Sequence, residues 1–293
     1  MASTTDTVVD DQVITLTSGH AIHCTRYGAP DAASTLIMMH GAPGSHADFR
    51  HLAPLVVRDG DINVLAMDLP GNGRTSADAA GGTHLTQDHI VDAVTEAIAS
   101  LATPSSSVRH RSRLFVLGHS MGGQVAIQVA AASPKTVCGL ALLSSAGLEP
   151  LASQRPLWLL QCVAWLLTAS PITRYFATLL TRLVYVYMLG FPTQIASSDF
   201  VVAAQRGATQ NSTAIAAGAR VIRERGLPTF MAYATNDRMV TPAMGDALAN
   251  VLEPETKLVF ATGGHNLQKT KADELAHALV NWMRQSNPTP AKL

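Results

Sequence analysis

The sequence predicts an α/β fold: a mostly parallel sheet opened by an antiparallel hairpin, with helical sequence inserted before the last two strands. Three observations carry that expectation. Six short apolar runs recur along the 293 residues, helical patterns separate most of them, and one long stretch has no strand pattern at all. Gln12–Thr17 and Ala21–Tyr27 alternate in polarity around Ser18-Gly19, which reads as a β-hairpin. Thr35–His40, Ile62–Asp68, Arg113–Leu117, Val137–Leu143, Thr229–Ala234 and Thr256–Ala261 are near-continuous apolar runs. Such runs fit strands covered on both faces. Ile90, Val91, Val94, Ala97, Ile98 and Leu101 share one helical face, with Thr86 placed to cap it. Val125, Ile127, Val129 and Ala130 follow the third of these runs, and Leu275, Ala276, Leu279, Val280 and Met283 mark a last helix. Strands alternating with helices make a doubly wound sheet.

Residues 148–227 break the rhythm. Their most apolar parts are Leu157–Leu167 (LWLLQCVAWLL) and Tyr175–Leu189 (YFATLLTRLVYVYML). Pro171, Arg174 and Arg182 interrupt them short of the roughly 20 apolar residues that a membrane-spanning helix needs. The expectation is a helical cap at 148–227, with a core at 1–147 and 228–284 and a polar, proline-containing tail at 285–293. Trp158, Trp165 and Tyr185 are expected to line a substrate pocket beneath the cap. Contact of the cap with a membrane surface is the less favoured reading, because basic residues are few there.

Composition narrows the function. Lysine and arginine number 21 against 21 aspartate and glutamate, so the formal net charge is zero. A nucleic-acid binder needs a net basic face, and none is indicated. Three cysteines, Cys24, Cys138 and Cys162, form neither a CxxC pair nor an even framework, which disfavours a disulfide scaffold and a thiolate zinc site. The histidines show no metal-ligand spacing. The first residues lack the basic and apolar regions of a secretory leader, and Asp6, Asp10 and Asp11 argue against a mitochondrial presequence. The last three, Ala291-Lys292-Leu293, match the small–basic–leucine pattern read by the peroxisomal import receptor. In a eukaryotic source the expected location is the peroxisome or a related organelle, and otherwise the cytoplasm.

The strongest chemical signal is Gly118-His119-Ser120-Met121-Gly122-Gly123, directly after one apolar run and directly before a helical pattern. A serine at a tight strand-to-helix turn needs small residues two positions to either side, and Gly118 and Gly122 supply them. The turn pushes the Ser120 hydroxyl out of the sheet edge, while the helix start offers free N–H groups. His40-Gly41-Ala42-Pro43-Gly44 ends the first parallel run, and Asp68-Leu69-Pro70-Gly71-Asn72-Gly73 ends the second. A dinucleotide-binding reading of GHSMGG fails for want of G-x-G-x-x-G and of the acid that binds ribose.

With these motifs the chain resembles the α/β-hydrolase superfamily, in particular its serine-nucleophile members with a helical cap. The resemblance runs from the hairpin to the last helix. It implies Ser120 as nucleophile and an acid and a base following in the order Ser…Asp…His. Asp237, in Thr235-Asn236-Asp237-Arg238, and His265, in Gly263-Gly264-His265-Asn266, match at the ends of the last two runs. Some relatives carry the acid one strand earlier; here that strand ends Leu143-Ser144-Ser145-Ala146, and Glu149 lies several residues farther on. The resemblance places the oxyanion hole at the N–H groups of Ala42 and Met121. It gives the Asp68 segment an architectural role, makes His40 a support of the oxyanion turn and leaves His119 as packing.

The activity so implied is cleavage of a small-molecule carboxylic ester, an apolar or medium-chain acyl group being favoured, without a cofactor. Thioesterase, C–C bond hydrolase, acyltransferase and cofactor-free peroxidase chemistry share the serine and stay open, as does a non-catalytic hydrolase-like binding protein. Epoxide hydrolases and haloalkane dehalogenases carry aspartate at the turn and are set aside.

Overall fold

The computed structural model describes residues 9–102 and 112–286, so the Ala291–Leu293 address and residues 1–8 lie outside the described part. In chain order the elements are β1 (Val9–Thr15), β2 (Ala21–Tyr27), β3 (Ser34–Met39), α1 (Leu52–Asp59), β4 (Ile62–Met67) and α2 (Gln87–Ala102). Then come β5 (Arg113–His119), α3 (Met121–Ala132), β6 (Val137–Leu143), α4 (Leu157–Ala169), α5 (Pro171–Leu183), α6 (Ser197–Ala208) and α7 (Ser212–Glu224). The chain closes with β7 (Thr229–Ala234), α8 (Pro242–Leu252), β8 (Thr256–Phe260), α9 (Leu267–Thr270) and α10 (Ala272–Gln285). The eight strands form one sheet in the order β1-β2-β4-β3-β5-β6-β7-β8. β1 and β2 are antiparallel, β2 runs antiparallel to β4, and the rest of the sheet is parallel.

The apolar runs become strands because helices cover both faces of the sheet. Every residue of β3, β4 and β7 is buried, whereas the edge strands β1 and β8 are partly exposed. Successive residues turn to opposite faces. Ile37 and Met39 join Val94, Val125 and Ile222 in the core on one side, while Leu36 and Met38 join Leu52, Leu275 and Leu279 on the other. The expected helical faces at Ile90–Ile98 and Leu275–Met283 fill these two cores. The Thr86 hydroxyl accepts from the His89 N–H at 3.1 Å, as its capping position requires.

The inserted sequence divides differently from the expected 148–227 block. α4, α5 and α6 pack on one another around Leu167, Ala177, Val201 and Ala204. α7 instead packs against α3 and α8 and sends Ile215, Ala219 and Ile222 into the main core. It is the crossover helix between two parallel strands, a geometric necessity of the sheet. The boundary at 227 therefore moves back to the end of α6. The missing strand pattern across 148–227 does not by itself separate α7 from the cap.

The segment after β4 is organised by Asp68, which is fully buried. Its carboxylate accepts from the His46 and Arg74 backbone N–H groups at 2.8 and 3.2 Å, from His46 Nδ1–H at 2.8 Å and from Arg74 Nε at 3.1 Å. Burial pushes the Asp68 pKa up, yet the bonds from His46 and Arg74 outweigh it and hold the carboxyl well below its ordinary range. Asp68→Ala is expected to cost about 3 kcal/mol in chemical denaturation at neutral pH, the scale for breaking a buried ion pair. The contribution belongs to the ionised carboxylate, so it is complete above about pH 4 and shrinks in more acid solution. Equal stability of the two proteins at neutral pH would contradict this role.

Candidate active site

Ser120 lies where β5 passes into α3, with φ 52° and ψ −127°. A non-glycine residue in such a conformation costs on the order of 1–3 kcal/mol and persists only where its surroundings dictate it. Here the Ser120 N–H donates to the Leu143 carbonyl at 3.1 Å, and the Ser120 carbonyl accepts from the Gly123 and Ala146 N–H groups at 3.0 and 2.9 Å. The turn also needs empty space at two positions. A Cβ on Gly118 would stand 2.4 Å from the Gly123 Cα, and one on Gly122 would stand 2.3 Å from the Met39 carbonyl oxygen.

The conformation aims the Ser120 hydroxyl at the loops after β7 and β8. Ser120 Oγ lies 2.9 Å from His265 Nε2, and His265 Nδ1 lies 2.9 Å from Asp237 Oδ2. Asp237 Oδ1 accepts from the Met239 and Val240 N–H groups at 2.8 and 3.0 Å, which orients the carboxylate. Burial raises the Asp237 pKa, but the bond from His265 and those two N–H groups reverse the effect and hold it below its ordinary value. An ionised Asp237 accepts a hydrogen bond from His265 Nδ1–H, leaving Nε2 as the acceptor for the serine hydroxyl. Asn236 Oδ1, accepting from the Gly264 N–H at 2.8 Å, ties the two loops together. The structure thus brings together Ser120, Asp237 and His265. Glu149 is elsewhere, paired with Arg155 at 2.7 Å on the surface.

Two further histidines hold this arrangement as buried neutral groups. The ring of His119 is more than the packing expected of it: Nε2–H donates to the His265 carbonyl at 2.9 Å. Burial and the neighbouring His265 ring push its pKa down to about 3. His40 Nδ1–H donates to the Gly41 carbonyl at 2.6 Å, and His40 Nε2 accepts from the Leu69 N–H at 3.0 Å, so a single neutral tautomer fits. Burial and then Arg206 lower its pKa to about 4.

Gly41 passes so near the serine that a Cβ there would be 3.0 Å from the Ser120 Cβ. The next residue, Ala42, packs with Met121, Ala146, Leu151, Val240 and Met244 in one apolar cluster beside the turn. Met121 is the first residue of α3, so its N–H lies outside the helix's own ladder.

Arg206 escaped the sequence reading. It is fully buried, donates Nη1–H to the Gly41 carbonyl at 3.3 Å and Nε–H to Gln87 Oε1 at 3.3 Å, and both acceptors are neutral. Burial lowers its pKa to about 10, so it keeps its charge near neutral pH. The sequence did carry a signal: a lone arginine inside the otherwise uncharged run Phe200–Ala208, every residue of which is buried.

The expected pocket lining is corrected at two positions. Trp158 and Trp165 point outward, 63% and 65% exposed. Their spacing does place them on one face of α4, but Leu160, Val163 and Leu167, on the other face, pack inward. Side chains open to solvent do not enclose an acyl group. Tyr185 is half-buried, its ring 5.0 Å from that of Phe200 and 5.5 Å from that of Phe191.

Residues 36–278 match the alpha/beta hydrolase family. Over 125 residues the chain is 34% identical to Lipase LipV of Mycobacterium tuberculosis, a match covering 43% of this chain and 42% of that protein. Over 141 residues it is 30% identical to a 1-acylglycerol-3-phosphate O-acyltransferase of Arabidopsis thaliana, covering 47% and 31%. The matches thus span less than half the length of these relatives. The haloalkane dehalogenase DbeA from Bradyrhizobium elkani superposes with a TM-score of 0.70 at 16% identity, covering 94% of this chain and 98% of that one, a likeness of fold.

The neutral histidines generate a prediction about stability. Burial holds His40 and His119 well below the 6.5 of an ordinary histidine in the folded chain. Below 6.5 the unfolded chain takes up protons that the folded chain refuses, so stability falls as pH falls toward 4. Thermal unfolding should show a midpoint that drops steadily over this interval, and less steeply in His119→Gln. A flat midpoint, or an unchanged slope in that variant, would contradict the assignment.

Proposed function

The chain belongs to the alpha/beta hydrolase family, and from that premise we propose that it cleaves a carboxylic ester of an apolar acyl group through an acyl-Ser120 intermediate. The observation that carries this reading is the continuous hydrogen-bond chain Asp237–His265–Ser120, at 2.9 Å in each link. In the proposed reaction His265 Nε2 takes the hydroxyl proton as Ser120 Oγ attacks the ester carbonyl carbon. The N–H groups of Ala42 and Met121 receive the charge that develops on the carbonyl oxygen. The tetrahedral species collapses with loss of the alkoxide, to which His265 returns the proton. Water then attacks the acyl-serine, His265 again taking a proton and passing it to Ser120 Oγ as the acid departs. Asp237 stays ionised throughout and stabilises the protonated imidazole.

Arg206 acts on this chemistry as a positioning residue. The Gly41 carbonyl and the Ala42 N–H are the two ends of one peptide group. Arg206 and His40 both donate to the carbonyl end, which polarises the peptide and strengthens its N–H as a donor. Because the buried charge has neutral acceptors, its field falls on that peptide without a counter-ion to cancel it. Arg206→Met should lower kcat about tenfold or more while leaving KM near the wild-type value, and Arg206→Lys should recover part of the loss. A rise in KM with kcat unchanged would assign Arg206 to ground-state binding instead.

The preference for apolar acyl groups is supported by the uncharged cluster of Met121, Leu151, Val240, Met244 and Ala42 beside the serine. Each acyl methylene buried on binding contributes about 0.8 kcal/mol, roughly a fourfold gain in kcat/KM. Esters and thioesters of increasing chain length, with Ser120→Ala as the blank, test both bond type and acyl preference. The expected result is a rise from acetyl to medium-chain esters and no turnover in the blank. A preference for thioesters would move the bond assignment, and a profile flat in chain length would remove the acyl preference.

A further inference from the structure

Helix α5 is turned inside out relative to an ordinary surface helix. Ala177 and Thr181 face inward, while Ile172, Tyr175, Phe176, Leu179, Leu180 and Leu183 are 48–72% exposed. Their spacing of three and four residues makes one continuous apolar stripe, the pattern that normally seeks a core. Trp158 and Trp165 of α4 and Tyr187 and Met188 of the π-helical turn after α5 are more than 60% exposed as well. Scattered exposed leucines need no explanation, but an unbroken stripe with neighbouring aromatics marks an interaction surface.

Cations on this cap are few, which disfavours membrane contact on sequence grounds, so it is the exposed apolar stripe that carries the contact and charge adds only a bias. Between Glu149 and Asp199 the sequence has Arg155, Arg174 and Arg182 and no acidic residue. Arg155 pairs with Glu149, whereas Arg174 and Arg182 donate to the carbonyls of Leu167 and Ile195, which leave their charges unneutralised. A phosphate-bearing lipid surface offers the opposite charge together with an apolar interior. Tryptophan and tyrosine are also the side chains that favour the boundary between headgroups and acyl chains. Among the described residues no helix is long and apolar enough to cross a membrane, so contact would be in the plane of the surface, α5 lying with its stripe down.

We propose that the outer face of α4, α5 and the turn after α5 docks on an anionic lipid surface. This docking stands apart from the ester reading and can be tested in a chain unable to consume lipid. The full chain carrying Ser120→Ala is mixed with vesicles of phosphatidylcholine, with and without phosphatidylglycerol. Two of the three tryptophans, Trp158 and Trp165, lie on the face, and the third, Trp282, is buried in the main core. Their emission should shift to the blue with anionic vesicles and be quenched by brominated acyl chains. Adding Phe176→Ser and Leu180→Ser should weaken vesicle binding at least about tenfold while changing the melting temperature little, because each side chain has about half or more of its surface in solvent. Emission unmoved by vesicles of either composition would overturn the proposal. So would equal binding by the face variant, or a lipid-free dimer whose dissociation on dilution alone shifts the emission.

Discussion

The organisation of the site depends on one strained residue. Ser120 can hold φ 52° because β3 and β6 brace it from both sides: the Leu143 and Ala146 backbones bond to it directly, and Gly122 lets α3 approach the Met39 carbonyl. That approach has a second consequence. Met39 ends β3, so His40, Gly41 and Ala42 leave the sheet immediately beside the serine. A single packing contact thereby sets the proposed nucleophile and one proposed oxyanion donor in a common frame. The loops after β7 and β8, which carry Asp237 and His265, reach the same place because parallel strands all end on one edge of the sheet.

Around that frame the electrostatics are divided by burial. His40 and His119 are kept neutral and serve as fixed donors to the backbones of Gly41 and His265. Asp237 is kept ionised by two backbone N–H groups and the imidazole it orients. Arg206 contributes a fixed positive charge on the far side of the Gly41–Ala42 peptide. This arrangement presents positive potential where an oxyanion would form and negative potential where an imidazolium would form. It does so with groups already in position before substrate arrives.

Much of this was legible in the sequence, for identifiable reasons. A strand buried on both faces must be a short apolar run, so β3 to β7 appear with boundaries within about two residues, and the half-exposed edge strand β8 is legible from Leu258 and Phe260. The serine turn announces itself through Gly118 and Gly122 because no other residue fits, and the resemblance to the α/β hydrolases, which implies the order Ser…Asp…His, points to Asp237 and His265 at strand ends. What stayed hidden has one cause. Periodicity reports which residues share a helical face but not what that face meets. Trp158 and Trp165 therefore read as pocket residues in the sequence, yet they face solvent. α7 reads as part of the cap, yet it packs in the main layer. Arg206 was overlooked because its partners, Gly41 and Gln87, are more than a hundred residues away in the chain.

The central claim is that Ser120 is activated by His265 for attack on an acyl carbon. It is tested most directly by treating the full chain with a fluorophosphonate, then mapping the adduct by peptide mass spectrometry. The account predicts a single adduct, on the peptide bearing Ser120, absent in His265→Ala. Labelling of a different residue, no labelling at all, or unchanged labelling of the His265→Ala protein would contradict it.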